Sequence, residues 1–139
     1  QGSFFIDYID NSGDLTNILE AEVVGELYSA DVIEIVQTTV NGIRSVWITT
    51  EDTENTQFIR LTFPEDIELG SYEITTDLIN GDEKIALFIP DTVNPMNFNS
   101  DTGTLTIISY DTVSGIIEGT FEFVALDMTG QDPTVYTIR

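Results

Sequence analysis

Asn41-Gly42 stands between two runs of β-branched residues, Val32 to Val40 and Ile43 to Thr50, and it limits this chain more than any other feature. Both positions of a two-residue hairpin turn need positive φ, which Asn and Gly adopt at little cost, so the pair predicts a tight antiparallel hairpin. The same grammar recurs along the sequence. Short runs rich in Val, Ile, Thr, Phe and Tyr are bounded by Gly, Asn, Asp or Pro, which is the pattern of strands and turns. Gln57 to Phe63 alternates Ile59, Leu61 and Phe63 against Phe58, Arg60 and Thr62, then stops at Pro64. Tyr72 to Thr76 follows Gly70, and Lys84 to Ile89 sets Ile85, Leu87 and Ile89 on one face before Pro90. Gly103 to Tyr110 and Gly115 to Leu126 flank Asp111-Thr112-Val113-Ser114, and the second run places Phe121, Phe123 and Ala125 opposite Glu118, Thr120 and Glu122. Asp91 to Thr102 reads as the longest loop, with an edge contact at Met96 and Phe98. Glu20 to Tyr28, Phe4 to Ile9 and Thr134 to Ile138 bring the expected count to about nine or ten strands. The expected fold is therefore an all-β, antiparallel β-sandwich of two packed sheets, with an up-and-down β-barrel as the alternative and a short helix near Asp14 to Ile18.

A chain of 139 residues without repeat or linker fits one core, so residues 4–139 are expected to form a single β domain. Gln1-Gly2-Ser3 reads as the remnant of a cleaved purification tag. Apolar residues make up 41% and charged residues 21%, ordinary globular values, so the formal charge of −21 arises from a shortage of cations rather than from a disordered composition. Arg44, Arg60, Lys84 and Arg139 stand against 25 carboxylates, and histidine is absent. Four scattered cations make no phosphate-binding patch, which excludes nucleic acid as a partner and polybasic docking to membranes. The acids are spread along the chain, as on a solvated surface suited to salty or cation-rich surroundings.

Calcium is the one cofactor candidate, because hard cations take clustered oxygens. Asp10 and Asp14 in Asp10-Asn11-Ser12-Gly13-Asp14, and Asp101 after Asn99-Ser100, are its candidate ligands, although neither segment has EF-hand spacing and the same residues build plain turns. Without cysteine there is neither disulfide nor thiolate metal site, and no run reaches the roughly 18 apolar residues of a membrane helix. The lack of His and Cys removes Ser-His-Asp and Cys-His catalysis. A carboxylate-based glycosidase needs only two acids, but Glu34, Glu118 and Glu122, the acids set inside apolar runs, fall on polar strand faces, so the expectation is a protein that is not an enzyme. Trp47 is the only tryptophan. It shares a face with Ser45 and Thr49, opposite Val46 and Ile48, which makes it the candidate ligand-binding residue for a glycan or protein partner, with packing between sheets as the competing reading.

Gly70-Ser71-Tyr72 after Pro64, then Ser100-Asp101-Thr102-Gly103-Thr104-Leu105-Thr106-Ile107 with Tyr110-Asp111, then Ile117-Glu118-Gly119-Thr120-Phe121-Glu122-Phe123, resembles a family of uncharacterised secreted lipoproteins of Bacteroidetes. The resemblance covers about Glu20 to the end. It implies export, an extracytoplasmic location and a lipid anchor to the outer membrane at the cell surface, with the lipidated cysteine missing from this sequence. It carries over no activity and no site residues. The resulting expectation is a non-catalytic binding or surface-assembly module, with a carbohydrate-binding accessory domain, calcium-assisted or not, as the alternative and a glycosidase last. Within the expected sandwich, Gly70 and Gly103 read as strand starts that need positive φ, and Gly119 as a bulge or a close approach by a facing side chain.

Overall fold

A computed structural model of the chain describes residues 1–9 and 17–139. Its strands are β1 (Gly2–Asp7), β2 (Ile18–Val23), β3 (Glu26–Ser29), β4 (Val32–Val40), β5 (Ile43–Asp52), β6 (Gln57–Pro64), β7 (Gly70–Thr75), β8 (Lys84–Ile89), β9 (Phe98–Asp111), β10 (Ile116–Leu126) and β11 (Val135–Ile138). The described residues contain no helix, and the one expected near Asp14 to Ile18 falls mostly outside them, while Ile18 itself opens β2. The strands form one mixed, mostly antiparallel sheet in the order β1-β2-β11-β10-β9-β7-β8-β6-β5-β4, with β3 added on β2. This all-β sheet does not close into a barrel. Its two halves pack inner face to inner face, consistent with the expected sandwich: Phe4 of β1 stacks on Phe63 of β6 at 6.2 Å, and Phe88 of β8 meets Tyr136 of β11 at 5.0 Å.

The Asn41-Gly42 hairpin forms as expected, with φ of 52° and 80° and Val40 opposite Ile43. The hairpin of β9 and β10 also forms, and Phe121 and Phe123 fill the core. Glu20 to Tyr28, expected as one strand, is instead a second tight hairpin. Val24 and Gly25 take φ of 49° and 83° and set Val23 opposite Glu26, so a β-branched residue sits in the left-handed region where such residues are rare. Only β7 and β8 run parallel, over Ile74↔Lys84 and Thr75↔Ile85. The 76–83 connection between them crosses the outside of the first hairpin, where Asn41 Nδ2 donates to the Ile79 carbonyl at 2.7 Å. Ile85, Leu87 and Ile89 do share a face, but it is the outer one, and Ala86 and Phe88 point into the core.

β9 begins at Phe98 rather than Gly103, because it pairs with β10 on one side and with both β8 and β7 on the other. Gly103 therefore lies inside a strand and is not a positive-φ start; a Cβ there would sit 2.3 Å from the Glu122 carbonyl oxygen. Gly119 meets both expectations. The ladder slips between Glu118 and Gly119, and a Cβ on Gly119 would come within 2.6 Å of the Phe4 ring. β1 starts at Gly2, ahead of the expected boundary at residue 4, and a Cβ on Gly2 would press into the Phe121 ring at 2.6 Å.

Tyr28 on β3 ties the two halves together. Its ring is fully buried, its hydroxyl lies 2.7 Å from Thr50 Oγ1 of β5, and the Ile59 N–H of β6 donates to that hydroxyl at 3.2 Å. Burial from water pushes the phenol pKa well above its ordinary value, so the hydroxyl keeps its proton.

Candidate functional site

The alternation of β5 sends Val46, Ile48 and Thr50 into the core and leaves Ser45, Trp47, Thr49 and Glu51 on the outer face. β5 runs between β4 and β6, so Trp47 faces Val36 across one ladder and Thr62 across the other. Directly opposed residues share a face, and side chains two positions away along the partner strand remain within reach of a long side chain. Arg60, two residues before Thr62, uses that reach. Its guanidinium carbon lies 4.6 Å from the centre of the Trp47 ring, within range of a cation–π contact.

The surroundings of this pair interleave apolar and acidic side chains. Val32 and Val36 of β4 are 46% and 49% exposed, Phe58 is half-buried, and Glu34 and Glu51 flank Thr49. Three groups here have unmet hydrogen-bonding capacity. Among the described residues, Trp47 Nε1 and Thr62 Oγ1 are buried without a partner, and the guanidinium of the half-buried Arg60 has neither an ion pair nor a hydrogen bond. Loss of water around the guanidinium pushes its pKa below the ordinary arginine value, yet it remains a cation at neutral pH. The other strand-borne cations are engaged: Arg44 pairs with Glu65 at 2.5 Å, and the Lys84 ammonium lies 4.7 Å above the Tyr72 ring.

Trp47 is thus partly exposed on an outer sheet face, and Tyr28, Tyr72, Tyr110 and Tyr136, the amphipathic aromatics that could extend a stacking platform, do not gather around it. Tyr28 is in the core, Tyr72 donates its hydroxyl to the Glu68 carbonyl, and Tyr136 packs on Phe88 and Phe98. Tyr110 lines an open pocket of about 420 Å³ with Tyr8, Arg44, Glu65 and Asp66. There the Tyr8 and Tyr110 hydroxyls lie 2.6 Å apart, Tyr110 donates to the Glu65 carbonyl, and Arg44 holds the Glu65 carboxylate, so the polar groups satisfy one another.

Asp10 and Asp14 lie outside the described residues. Asp101 is exposed on β9, and the Asn99-Ser100-Asp101 segment is strand rather than an oxygen-rich loop, with the Ser100 hydroxyl turned inward to accept from the Ala86 N–H and donate to the Thr75 carbonyl. Among the described residues no three acids gather as a cation site would need. The two buried acids among the described residues, Asp52 and Asp127, are turn holders. Burial raises the Asp52 pKa, but donors from Ser29 and Asn55 outweigh that and leave it below the ordinary value. Asp127 is lowered chiefly by the Thr129 hydroxyl and then by the Asp132 and Thr129 N–H groups. A general acid needs the opposite shift.

Arg60 and Thr62 were not singled out in the sequence. Their signal was a cation and a hydroxyl on the wet side of an alternating strand, and only the β5–β6 register brings them to Trp47. Comparison of the chain with models of known families, with curated proteins and with solved structures finds no match.

Proposed function

We propose that this domain is a non-catalytic binding module that works outside the cytoplasm, held at the cell surface by a lipid anchor, and that it takes its partner on the Trp47–Arg60 face. The observation that carries the reading is a tryptophan on an outer sheet face, capped by an arginine that has no carboxylate partner among the described residues of a strongly acidic chain. Partly exposed aromatics beside groups with unmet hydrogen bonds mark binding surfaces rather than cores. The location and the anchor are what the resemblance of the Gly70-Ser71-Tyr72, Thr104-Leu105-Thr106-Ile107 and Gly119-Thr120-Phe121 segments to secreted lipoproteins implies.

Trp47 and the neighbouring acids favour a carbohydrate partner, since a flat ring takes the C–H face of a sugar and carboxylates accept from its hydroxyls. Affinity electrophoresis through gels holding soluble cell-surface polysaccharides tests this, with wild type run beside Trp47→Ala. Retardation of the wild type that the variant loses is the expected result. Retardation equal in both would move the binding surface elsewhere.

A further inference from the structure

We propose that the Trp47–Arg60 face recognises a uronate-bearing saccharide, with the sugar carboxylate on the Arg60 guanidinium and the sugar ring on Trp47. The inference rests on the reading of this face as the binding surface and names its ligand class. Arg60 offers the planar fork of donors that matches a carboxylate in two parallel hydrogen bonds. It is partly removed from water, stacked at 4.6 Å on the indole, and none of its guanidinium donors is used by another described residue. An arginine so placed on a surface this acidic would ordinarily find a glutamate. Glu34 and Glu51, the carboxylates that β4, β5, β6 and β8 bring to this face, do not reach it.

Long-range repulsion from the −21 charge does not defeat an acidic ligand here. Exposed charges beyond about 8 Å are largely screened at physiological salt. Glu20, Glu22, Glu118 and Glu122 take the outer positions of β2 and β10, in the other half of the sheet.

The chemistry of the face selects among ligands. An acidic peptide would set several carboxylates against Glu34 and Glu51, whereas a uronate brings one carboxylate per ring and hydroxyls that donate to those acids. A cationic partner would suit the rest of the surface but would meet Arg60 at this point. When the carboxylate binds, it draws the guanidinium off the indole, and the uncovered ring takes the C–H face of the sugar.

Trp47 is the only tryptophan, so its emission reports the event directly. Tetramers of galacturonate, of mannuronate and of a glucuronate-containing chain are titrated against the full chain, each beside its methyl ester, with tetraglutamate as a further arm. At least one acid tetramer is expected to shift the emission and to bind about tenfold or more tighter than its ester, the order expected for a charge-assisted pair. Arg60→Gln is expected to erase the difference between acid and ester, and Arg60→Lys to keep only part of it, with both variants unfolding at the wild-type midpoint. Equal binding of acid and ester overturns this inference while leaving the face as a sugar-binding surface. Silence from every tetramer, or tighter binding of tetraglutamate, overturns it as well. Loss of the proposed function shows separately, as polysaccharide retention that Trp47→Ala does not alter.

Discussion

Replacing Tyr28 with Phe keeps the ring that fills the core and deletes only the hydroxyl that joins β3 to β5 and β6. Two consequences follow from the geometry. Thr50 Oγ1 loses its 2.7 Å partner but still donates to the Ile59 carbonyl at 2.8 Å, so little is left unmet on that side. The Ile59 N–H, set in the β5–β6 ladder opposite Thr50, loses the further acceptor that the hydroxyl offers at 3.2 Å. The lost hydroxyl pair is worth about 0.5–1.5 kcal/mol, partly offset by a phenol that no longer has to be desolvated. The expected loss is about 1 kcal/mol, a fall in the unfolding midpoint of roughly 3–5 °C for a domain of this size. Thermal unfolding followed by circular dichroism reads it. A double-mutant cycle with Thr50→Val isolates the hydroxyl pair, with an expected coupling of about 0.5–1.5 kcal/mol. A Tyr28→Phe midpoint within a degree of wild type would refute the claim that this hydroxyl fastens one half of the sheet to the other.

Gly119→Ala drives a methyl to within 2.6 Å of the Phe4 ring and 2.5 Å of the Thr106 carbonyl oxygen, and overpacking of this kind is expected to cost about 1–3 kcal/mol in urea unfolding. Sodium chloride is expected to raise the unfolding midpoint steadily by screening the −21 charge, and calcium at equal ionic strength to add nothing beyond that if no oxygen site exists. Acid should remove stability. Asp52, Asp111, Asp127 and Asp132 have pKa values below the ordinary 3.8, so the unfolded chain binds their protons first, and the stability they contribute is complete above that value and lost as pH falls through their folded values. A midpoint measured from pH 7 to pH 2 should therefore fall once pH drops below about 4, and a monotonic rise into acid would contradict the bonded turns.

The strands were legible wherever alternation and a turn signal agreed. Asn41-Gly42 and the Ile59, Leu61, Phe63 series needed nothing beyond local chemistry, because a two-residue turn fixes register and register fixes faces. Val24-Gly25 was missed because a β-branched residue before glycine reads as strand, and only the pairing of β2 with β3 compensates its positive φ. Phe98 to Thr102 looked like loop because its Asn, Ser and Asp residues favour turns, yet pairing on both sides holds it in a strand. The candidate site was half legible. Trp47 could be placed on the face away from Val46 and Ile48 from alternation alone, whereas Arg60 reaches it through a cross-strand diagonal that no local pattern reveals.

The central claim is that Trp47 serves a surface rather than the core, and the stability of Trp47→Ala measures this most directly. On the outer face its ring packs mainly on Arg60 and on strand neighbours, so the variant is expected to lose about 1 kcal/mol or less, a few degrees in midpoint, while ligand-dependent readouts disappear. A loss of about 3–5 kcal/mol, the cost of deleting a buried aromatic, would show that the ring holds the fold together and would contradict the account.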